Sequence, residues 1–172
     1  MVESVQSAPG GRLEFVSATH DDPLAQPLLA ELAVEYAQRY GGTPDAHLAW
    51  LPVPSAELAP PDGGVLIGVL DGVPVTGGAF RRFDAETAEL KRIWTDRAHR
   101  RRGYARALLA ALEAETATRG YRRLYLITGN RQPEAEALYD ATGYTRVEAE
   151  PIPSWGPFRP IAFEKLLGKG LS

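Results

Sequence analysis

The chain has 172 residues, of which 44% are hydrophobic and 24% are charged, and these proportions are typical of one globular domain. The 19 basic and 22 acidic side chains give a formal net charge of −3, which argues against nucleic acid as the main ligand. The absence of cysteine excludes disulfides, thiolate metal sites and a cysteine nucleophile.

The sequence gives no sign of a targeting or membrane segment. The N-terminal residues lack a basic region followed by an apolar run, and no apolar stretch approaches the ~20 residues that span a bilayer. We therefore expect one cytoplasmic domain over residues 1–172, with its core at about 12–167 and no membrane partner.

The first predicted elements are a strand and a helix. RLEFVSA (12–18) has β-type composition, and the next segment carries apolar side chains at helical spacing: Leu28, Leu29, Leu32, Tyr36 and Tyr40. Pro23 and Pro27 cannot both be first-turn residues, which leaves the helix start open, and the two glycines after Tyr40 end the helix. Residues 43–62 show no clean period, so we expect a long loop with at most one helical turn.

The middle of the chain predicts a hairpin and a further strand. GVLIGVL and VPVTGGAFRRF flank Asp71-Gly72, a pair that supplies the positive φ angles of a tight turn. Gly77-Gly78 inside a strand indicates a bulge or a close backbone approach. TAELKRIWT (87–95) follows as another strand.

The second half alternates helices and strands. RRLYLIT (122–128) is typical of a buried strand, Gly120 and Gly143 end helices, and two strands flank the aromatic loop 150–160. The two helical faces consist of Ala105, Leu108, Leu109 and Leu112, then Ala135, Leu138, Tyr139 and Thr142. Hairpins predict antiparallel pairs and the strand–helix–strand unit 87–128 predicts a parallel pair, so the fold class is α/β with a mixed sheet and helices on its faces.

The segment HRRRGYARALL (99–109) places three arginines and a glycine before a helix. A dinucleotide turn would need three glycines after the first strand, and a Walker lysine motif is absent. A helix that begins on glycine and alanine presents free N–H groups and a positive dipole end, and the arginines add charge-assisted bonds. The spacing alone leaves two interpretations open: a pyrophosphate site and a solvated basic helix start.

The longer segment TDRAHRRRGYARALL resembles the signature of the GNAT superfamily of acetyl-CoA-dependent N-acetyltransferases. Its pattern of Arg or Gln, two residues, Gly, one residue, then Gly or Ala falls on Arg100, Gly103 and Ala105. The resemblance extends over AELKRIWT and ITGNRQPEAEALYDATGY, at 87–144 in motif detail. The sequence departs from the family at Arg97, often Pro, and at the residue after Arg100, often Gly.

The resemblance implies a GNAT-type, mostly antiparallel sheet whose central parallel pair splays into a V, with helices on both faces. It implies acetyl-CoA as cosubstrate, with the pantetheine along one strand and the pyrophosphate on the helix start. The implied cofactor-binding residues are Ile93, Trp94, Thr95, Arg100, Arg101, Arg102, Gly103, Tyr104, Ala105 and Asn130. Asn130 is alternatively a cap of the following helix.

Two residues carry the implied chemistry. Glu89 lies where a family carboxylate often acts as base through water, and its alternative is a solvent-facing strand residue. Tyr139 matches a family tyrosine near the cofactor sulfur, where its pKa near 10 suits an acid toward a thiolate; its alternative is packing, with a half-buried ring. Without a cysteine nucleophile, we expect direct attack by the amine in a ternary complex.

The predicted function is acetyl transfer to a primary amine of a small molecule or peptide, by a monomer or homodimer that binds no nucleic acid and holds no metal. One alternative is a CoA-binding protein without catalysis, and another is a nucleic-acid-binding domain that uses the basic stretch 97–106. Trp155 and Phe158 line the acceptor pocket, anchor their loop or contact a dimer partner. A catalytic role is not expected for His20, His47 or His99.

Overall fold

A computed structural model of the chain describes residues 2–6, 12–19, 22–43, 55–129, 132–149 and 159–168. The strands are β1 (Val2–Gln6), β2 (Arg12–Ala18), β3 (Gly64–Leu70), β4 (Val73–Arg82), β5 (Thr87–Thr95), β6 (Arg123–Gly129), β7 (Thr145–Val147) and β8 (Pro160–Leu166). The α-helices are α1 (Gln26–Tyr40), α2 (Tyr104–Thr118) and α3 (Pro133–Ala141), and short 3-10 turns lie at Pro23–Ala25, Ser55–Leu58 and Arg97–His99.

The strands form one eight-stranded sheet in the order β1-β2-β3-β4-β5-β6-β8-β7. β5 and β6 pair in parallel, whereas every other neighbouring pair in the described sheet is antiparallel. The predicted α/β class with a mixed, mostly antiparallel sheet is therefore confirmed. β1 was not predicted, because its five residues, VESVQ, show no alternation of apolar and polar side chains.

Helices cover both faces of the sheet, as the sequence predicts. α1 covers one face, which we call the α1 side, where its apolar residues pack against Val65, Ile67, Ala79 and Trp94. α2 and α3 cover the other face, the α2 side, with a larger cluster. The fully buried side chains of that larger cluster include Phe15, Phe80, Phe163, Leu108, Leu109, Leu112 and Leu124.

Local signals in the sequence placed most turns correctly. Asp71 and Gly72 have φ angles of 51° and 84°, as a tight hairpin turn requires, and Gly41 follows the last residue of α1 with φ 84°.

The expectation about the two prolines was wrong. Pro23 opens a 3-10 turn and Pro27 lies in the first turn of α1, so each begins its own helical segment.

The predicted loop contains one helical turn, Ser55–Leu58, and residues 44–54 lie outside the described residues. Near the C-terminus, the strand predicted before the aromatic loop is present as β7, which spans three residues. No helix among the described residues is long and apolar enough to cross a membrane.

A bulge in β5 opposite Gly78 confirms the irregularity that the double glycine predicts. Gly77 pairs with Trp94 and Ala79 pairs with Lys91, so β5 carries one extra residue between the two pairs. A Cβ at Gly78 would lie 2.8 Å from the end of the Ile93 side chain, so a larger residue there would require Ile93 to shift. The extra residue shifts the alternation of sides, so that Ile93 packs on the α2 side and Trp94 on the α1 side.

Candidate active site

The parallel strands β5 and β6 separate halfway along their length. Their pairing runs from Thr87 opposite Arg123 to Leu90 opposite Leu126 and ends there, although β5 continues to Thr95 and β6 to Gly129. The two strands thus form the predicted V, which opens toward their C-terminal ends. Within the part of the chain that the structure describes, the inner edge of β5 beyond Leu90 has no strand partner, so its backbone groups can hydrogen-bond an extended ligand.

The N-terminus of α2 lies just after the open arm of β5. Gly103 caps this helix in the left-handed region, with φ 81°, and no side chain caps it. The first helical hydrogen bond runs from the Ala107 N–H to the Gly103 carbonyl, at 3.0 Å. The N–H groups of the first turn therefore have no acceptor within the helix, and they lie at the positive end of its dipole.

The loop before α2 is shaped for an anion. Arg101 has φ 64°, and left-handed residues in such a loop turn successive N–H groups toward one concave surface. A Cβ at Gly103 would meet no other described atom within 4 Å, so this position borders open space. Arg101 and Arg102 are exposed beside this space, and the Arg100 Nε donates to the Thr95 carbonyl at 3.4 Å.

The side chains of the first turn of α2 leave its backbone accessible. The Tyr104 ring is buried at 6% exposure and packs on the α2 side. Ala105 is small, and it is partly buried. The residues from Arg100 to Ala105 thus form a helix start that could hold a diphosphate, and their role in cofactor binding stays a prediction.

The open arm of β5 consists of Ile93, Trp94 and Thr95. The Trp94 carbonyl accepts a hydrogen bond from the Thr76 hydroxyl at 2.7 Å, and the hydroxyls of Thr76 and Thr95 lie 3.0 Å apart. On the α1 side, the Trp94 Nε1 donates to Glu31 of α1 at 2.6 Å. These contacts hold the arm from the β4 and α1 sides and leave its inner edge facing the V.

A carboxyl pair that the sequence did not reveal ties α1 to the start of the arginine loop. Asp96 accepts hydrogen bonds from the Ala98 N–H at 3.2 Å and contacts His99 Nδ1 at 2.6 Å. Burial and a hydrogen bond with Asp96 raise the pKa of Glu31. Burial alone would raise the pKa of Asp96, but hydrogen bonds from His99 and Glu31 hold it below its usual value. His99 thus contacts Asp96, a carboxylate of its own loop. Glu31 and Asp96 are too far apart in sequence to form a recognisable motif, so the sequence did not predict their contact.

Glu89 lies one position before the strands separate, opposite Tyr125 of β6. It is buried at 5% exposure, so the alternative of a solvent-facing residue is wrong. Its carboxylate accepts a hydrogen bond from Arg81 Nε at 3.0 Å and a longer one from Lys91 Nζ at 3.4 Å. Arg81 also donates to Glu57 at 2.8 Å. Burial lowers the pKa of Lys91.

Tyr139 belongs to an aromatic cluster on the α2 side. Its exposure is 4%, so the expectation of a half-buried ring was wrong. Its ring centroid lies 5.2 Å from that of Phe163 and 5.6 Å from that of Tyr144. The Tyr144 hydroxyl donates to Glu113 at 3.0 Å, and burial raises the pKa of Tyr144. The packing role of Tyr139 is thus established, and its role as an acid stays a prediction.

Polar contacts join α1 to α3 beyond the end of β6. Gln132 donates to the Tyr40 hydroxyl at 3.2 Å, and Arg39 forms a salt bridge with Glu134. The Tyr40 hydroxyl also occupies the space that a Cβ at Gly129 would need, so the tyrosine lies directly on the last residue of β6. Other sequence-predicted residues lie outside the described part of the chain: Asn130, Trp155, Phe158, His20 and His47.

A mixed sheet that opens into a V beside an uncapped helix start defines the GNAT class of α/β fold. Residues 27–144 match the acetyltransferase (GNAT) family, and the chain belongs to that family. Acetyl-CoA is the acyl donor of this family, and its members are acetyltransferases.

Sequence and structure comparisons agree with this assignment. An uncharacterized N-acetyltransferase of Bacillus subtilis, YsnE, is 33% identical over 81 residues, which are 46% of this chain and 52% of YsnE. The chain thus matches about half the length of this curated relative.

Two solved structures share the fold. The GNAT domain of S. lividans PAT has a TM-score of 0.71 at 18% identity, with 96% of this chain and 97% of that domain covered. A GNAT family acetyltransferase of Elizabethkingia anophelis, solved with acetyl-CoA bound, has a TM-score of 0.62 at 19% identity, with 90% and 98% covered.

Proposed function

We propose that this protein transfers the acetyl group of acetyl-CoA to a primary amine by direct attack in a ternary complex. One observation carries the proposal: the strands separate after Leu90 and Leu126, and the open arm of β5 leads into a helix that follows Gly103 and has no side-chain cap. An extended ligand with a diphosphate at one point fits both features, because strand edges bind extended backbones and helix starts bind phosphates.

Different residues bind different parts of the cofactor. The first-turn amides of α2 and the arginines from Arg100 to Arg102 bind the diphosphate. The inner edge of β5 at Ile93, Trp94 and Thr95 hydrogen-bonds the pantetheine arm, and Asn130 contacts the cofactor just past β6. The thioester then lies within the V, where its carbonyl carbon is open to an amine.

Two side chains move protons in this proposal. Glu89, next to the point of separation, takes the proton of the acceptor amine through a water molecule. Tyr139 donates a proton to the thiolate that leaves when the C–S bond breaks. Such positioned groups contribute about 10²–10⁴-fold each to a rate. The absence of cysteine from the chain supports a single displacement rather than an acyl-enzyme.

An acceptor screen tests the proposed function. The protein is mixed with acetyl-CoA and amines of several classes, free CoA thiol is followed over time, and acetylated products are identified by mass. We expect thiol release that depends on one class of amine and yields one acetylated product per thiol. A protein that binds CoA but releases no thiol with any amine would instead fit the non-catalytic alternative.

A further inference from the structure

Lys91 occupies the point at which the two strands separate. It is the first residue of β5 beyond the last parallel pair, Leu90 with Leu126. Its cross-strand partner is Ala79, which packs on the α1 side, and cross-strand partners share a face of the sheet. The Lys91 side chain therefore lies on the α1 side at the apex of the V, and 28% of it is exposed.

The Lys91 ammonium has little compensation for its burial. An ammonium has three donors, and within the described residues its hydrogen-bond partner is Glu89 at 3.4 Å. Glu89 in turn receives the shorter bond from Arg81, at 3.0 Å. Burial lowers the pKa of Lys91; the Glu89 carboxylate raises it in part, the positive charges of Arg81 and Arg92 lower it, and the net shift is downward. A half-buried cation with one long ion-pair contact is stabilised when a second anion approaches it.

The charges at the apex favour an anion from outside. Glu89 is 7% exposed, whereas Arg81 and Lys91 are 27% and 28% exposed. The other carboxylate of the group, Glu57, is 45% exposed and contacts Arg81 at 2.8 Å. Arg92 adds a third positive charge that acts on Lys91, so three cations face two carboxylates and the group carries a net positive charge beside the V.

We propose that the acceptor is an amine that bears a carboxylate close to its reacting nitrogen, and that Lys91 binds this carboxylate. The inference rests on the proposed function, since it concerns the acceptor of the same site. Lys91 and Glu89 are neighbours, so a molecule that meets both presents an anion to the first and an ammonium to the second. α-Amino acids and similarly compact zwitterions have this arrangement, and diamines do not.

Matched acceptors test the inference. Each amino acid of an α-amino acid panel is compared with its carboxamide, which keeps the amine and removes the negative charge, and putrescine represents diamines. The kcat/KM of acetylation is measured for each pair. We expect the carboxylate form to be preferred about tenfold or more, because hydrogen bonds to charged groups are worth more than neutral ones.

Variants assign the preference to Lys91. In Lys91→Met the ratio of kcat/KM between acid and amide falls to within about threefold, and in Lys91→Arg, which keeps the charge, a preference of about tenfold remains. Arg82→Met is the matched control. Arg82 also lies on the sheet beside this group, but its guanidinium stacks on Tyr121 of the α2 side at 5.0 Å, so the control keeps the parent's ratio.

Several results would overturn the inference. They are equal acetylation of acids and amides by the parent, a preference for putrescine, an unchanged ratio in Lys91→Met, and acetyl-CoA binding without acetylation of any amino acid. Acetylation of Lys91 itself, seen by peptide mass mapping without acceptor, would also overturn it. If neutral amines are acetylated without preference, the proposed function stands and this inference fails. If acetyl-CoA does not bind, the proposed function fails as well.

Discussion

At the scale of single residues, Tyr139 combines a packing contact with a proposed proton transfer. Tyr139→Phe keeps the ring against Phe163 and removes only the hydroxyl. We expect kcat to fall by about 10²–10⁴-fold while the affinity for acetyl-CoA changes little. Steady-state kinetics with an acceptor from the screen measure both quantities.

The neighbouring Tyr144 provides the control for this prediction. Its hydroxyl donates to Glu113 at 3.0 Å, so Tyr144→Phe loses about 1 kcal/mol of stability and should leave kcat near the parent's value. If Tyr139→Phe turns over within about threefold of the parent while chemistry limits the rate, the hydroxyl is not the acid and only its packing role remains.

Glu89 is also tested by a single change. Glu89→Gln keeps the shape of the side chain but cannot accept a proton, so we expect activity to fall by roughly 10²-fold at neutral pH. Activity should recover in part as pH rises, because the acceptor amine then loses its proton to solvent. The control is Glu57→Gln, which removes the exposed carboxylate on Arg81. A pH profile of Glu89→Gln that parallels the parent's would exclude Glu89 as the base.

At the scale of elements, Glu31 links α1 to the end of β5. Burial raises the pKa of Glu31 above 4.5, so above that pH the folded state holds a proton that the unfolded state has released. The free energy of unfolding therefore falls as pH rises through this window. Glu31→Gln mimics the protonated form and can still accept from Trp94 and donate to Asp96.

We expect the stability of Glu31→Gln, relative to the parent, to increase as pH rises above the usual pKa of a glutamate. Urea unfolding at several pH values measures this difference. The pKa of Asp96 is lowered, so Asp96 contributes stability that is lost only as pH falls below the usual pKa of an aspartate. Its titration therefore does not produce the change expected for Glu31. A difference that stays constant with pH would show that Glu31 is not protonated preferentially in the folded protein.

The helix α2 offers a matched pair of glycines for testing the phosphate site. Gly103 and Gly120 lie just outside its two ends with φ of 81° and 93°, and a Cβ at either would meet nothing within 4 Å. Valine at both positions imposes similar backbone strain. We expect Gly103→Val to lose most of its affinity for acetyl-CoA and Gly120→Val to keep it.

Calorimetric titration compares the two glycine variants, and circular dichroism confirms that each is folded. Arg100→Ala should weaken acetyl-CoA binding less than Gly103→Val, because it removes one charge and leaves the amides in place. Equal acetyl-CoA affinity in the Gly103 and Gly120 variants would place the phosphates elsewhere.

At the scale of the whole molecule, local sequence signals predicted most elements, and tertiary contacts determined the rest. β5 begins and ends where its pattern predicts, because apolar and β-branched residues dominate TAELKRIWT. The bulge residue Arg92 has φ 58°, a conformation that an arginine does not signal in sequence. β1 is stabilised by its pairing with β2 rather than by its own pattern.

In the candidate site, too, local features could be predicted and tertiary contacts could not. The helix start after Gly103 was predicted, because glycine and the following apolar spacing are local features. The ion pair of Arg81 with Glu57, next to Glu89, could not be predicted, since these two residues are separated by 24 positions and meet only when the Ser55–Leu58 turn packs beside β4. The carboxyl pair of Glu31 and Asp96 likewise exists only once α1 lies across β5.

Titration of acetyl-CoA into the full chain by calorimetry tests the central claim most directly. We predict binding of one acetyl-CoA per chain with a roughly micromolar dissociation constant. At a hundredfold excess over that constant, the ligand should stabilise the fold by about 2.7 kcal/mol and raise its melting temperature. Duplex DNA should produce no such shift. Tight, salt-dependent binding of DNA together with no heat and no thermal shift from acetyl-CoA would contradict the claim.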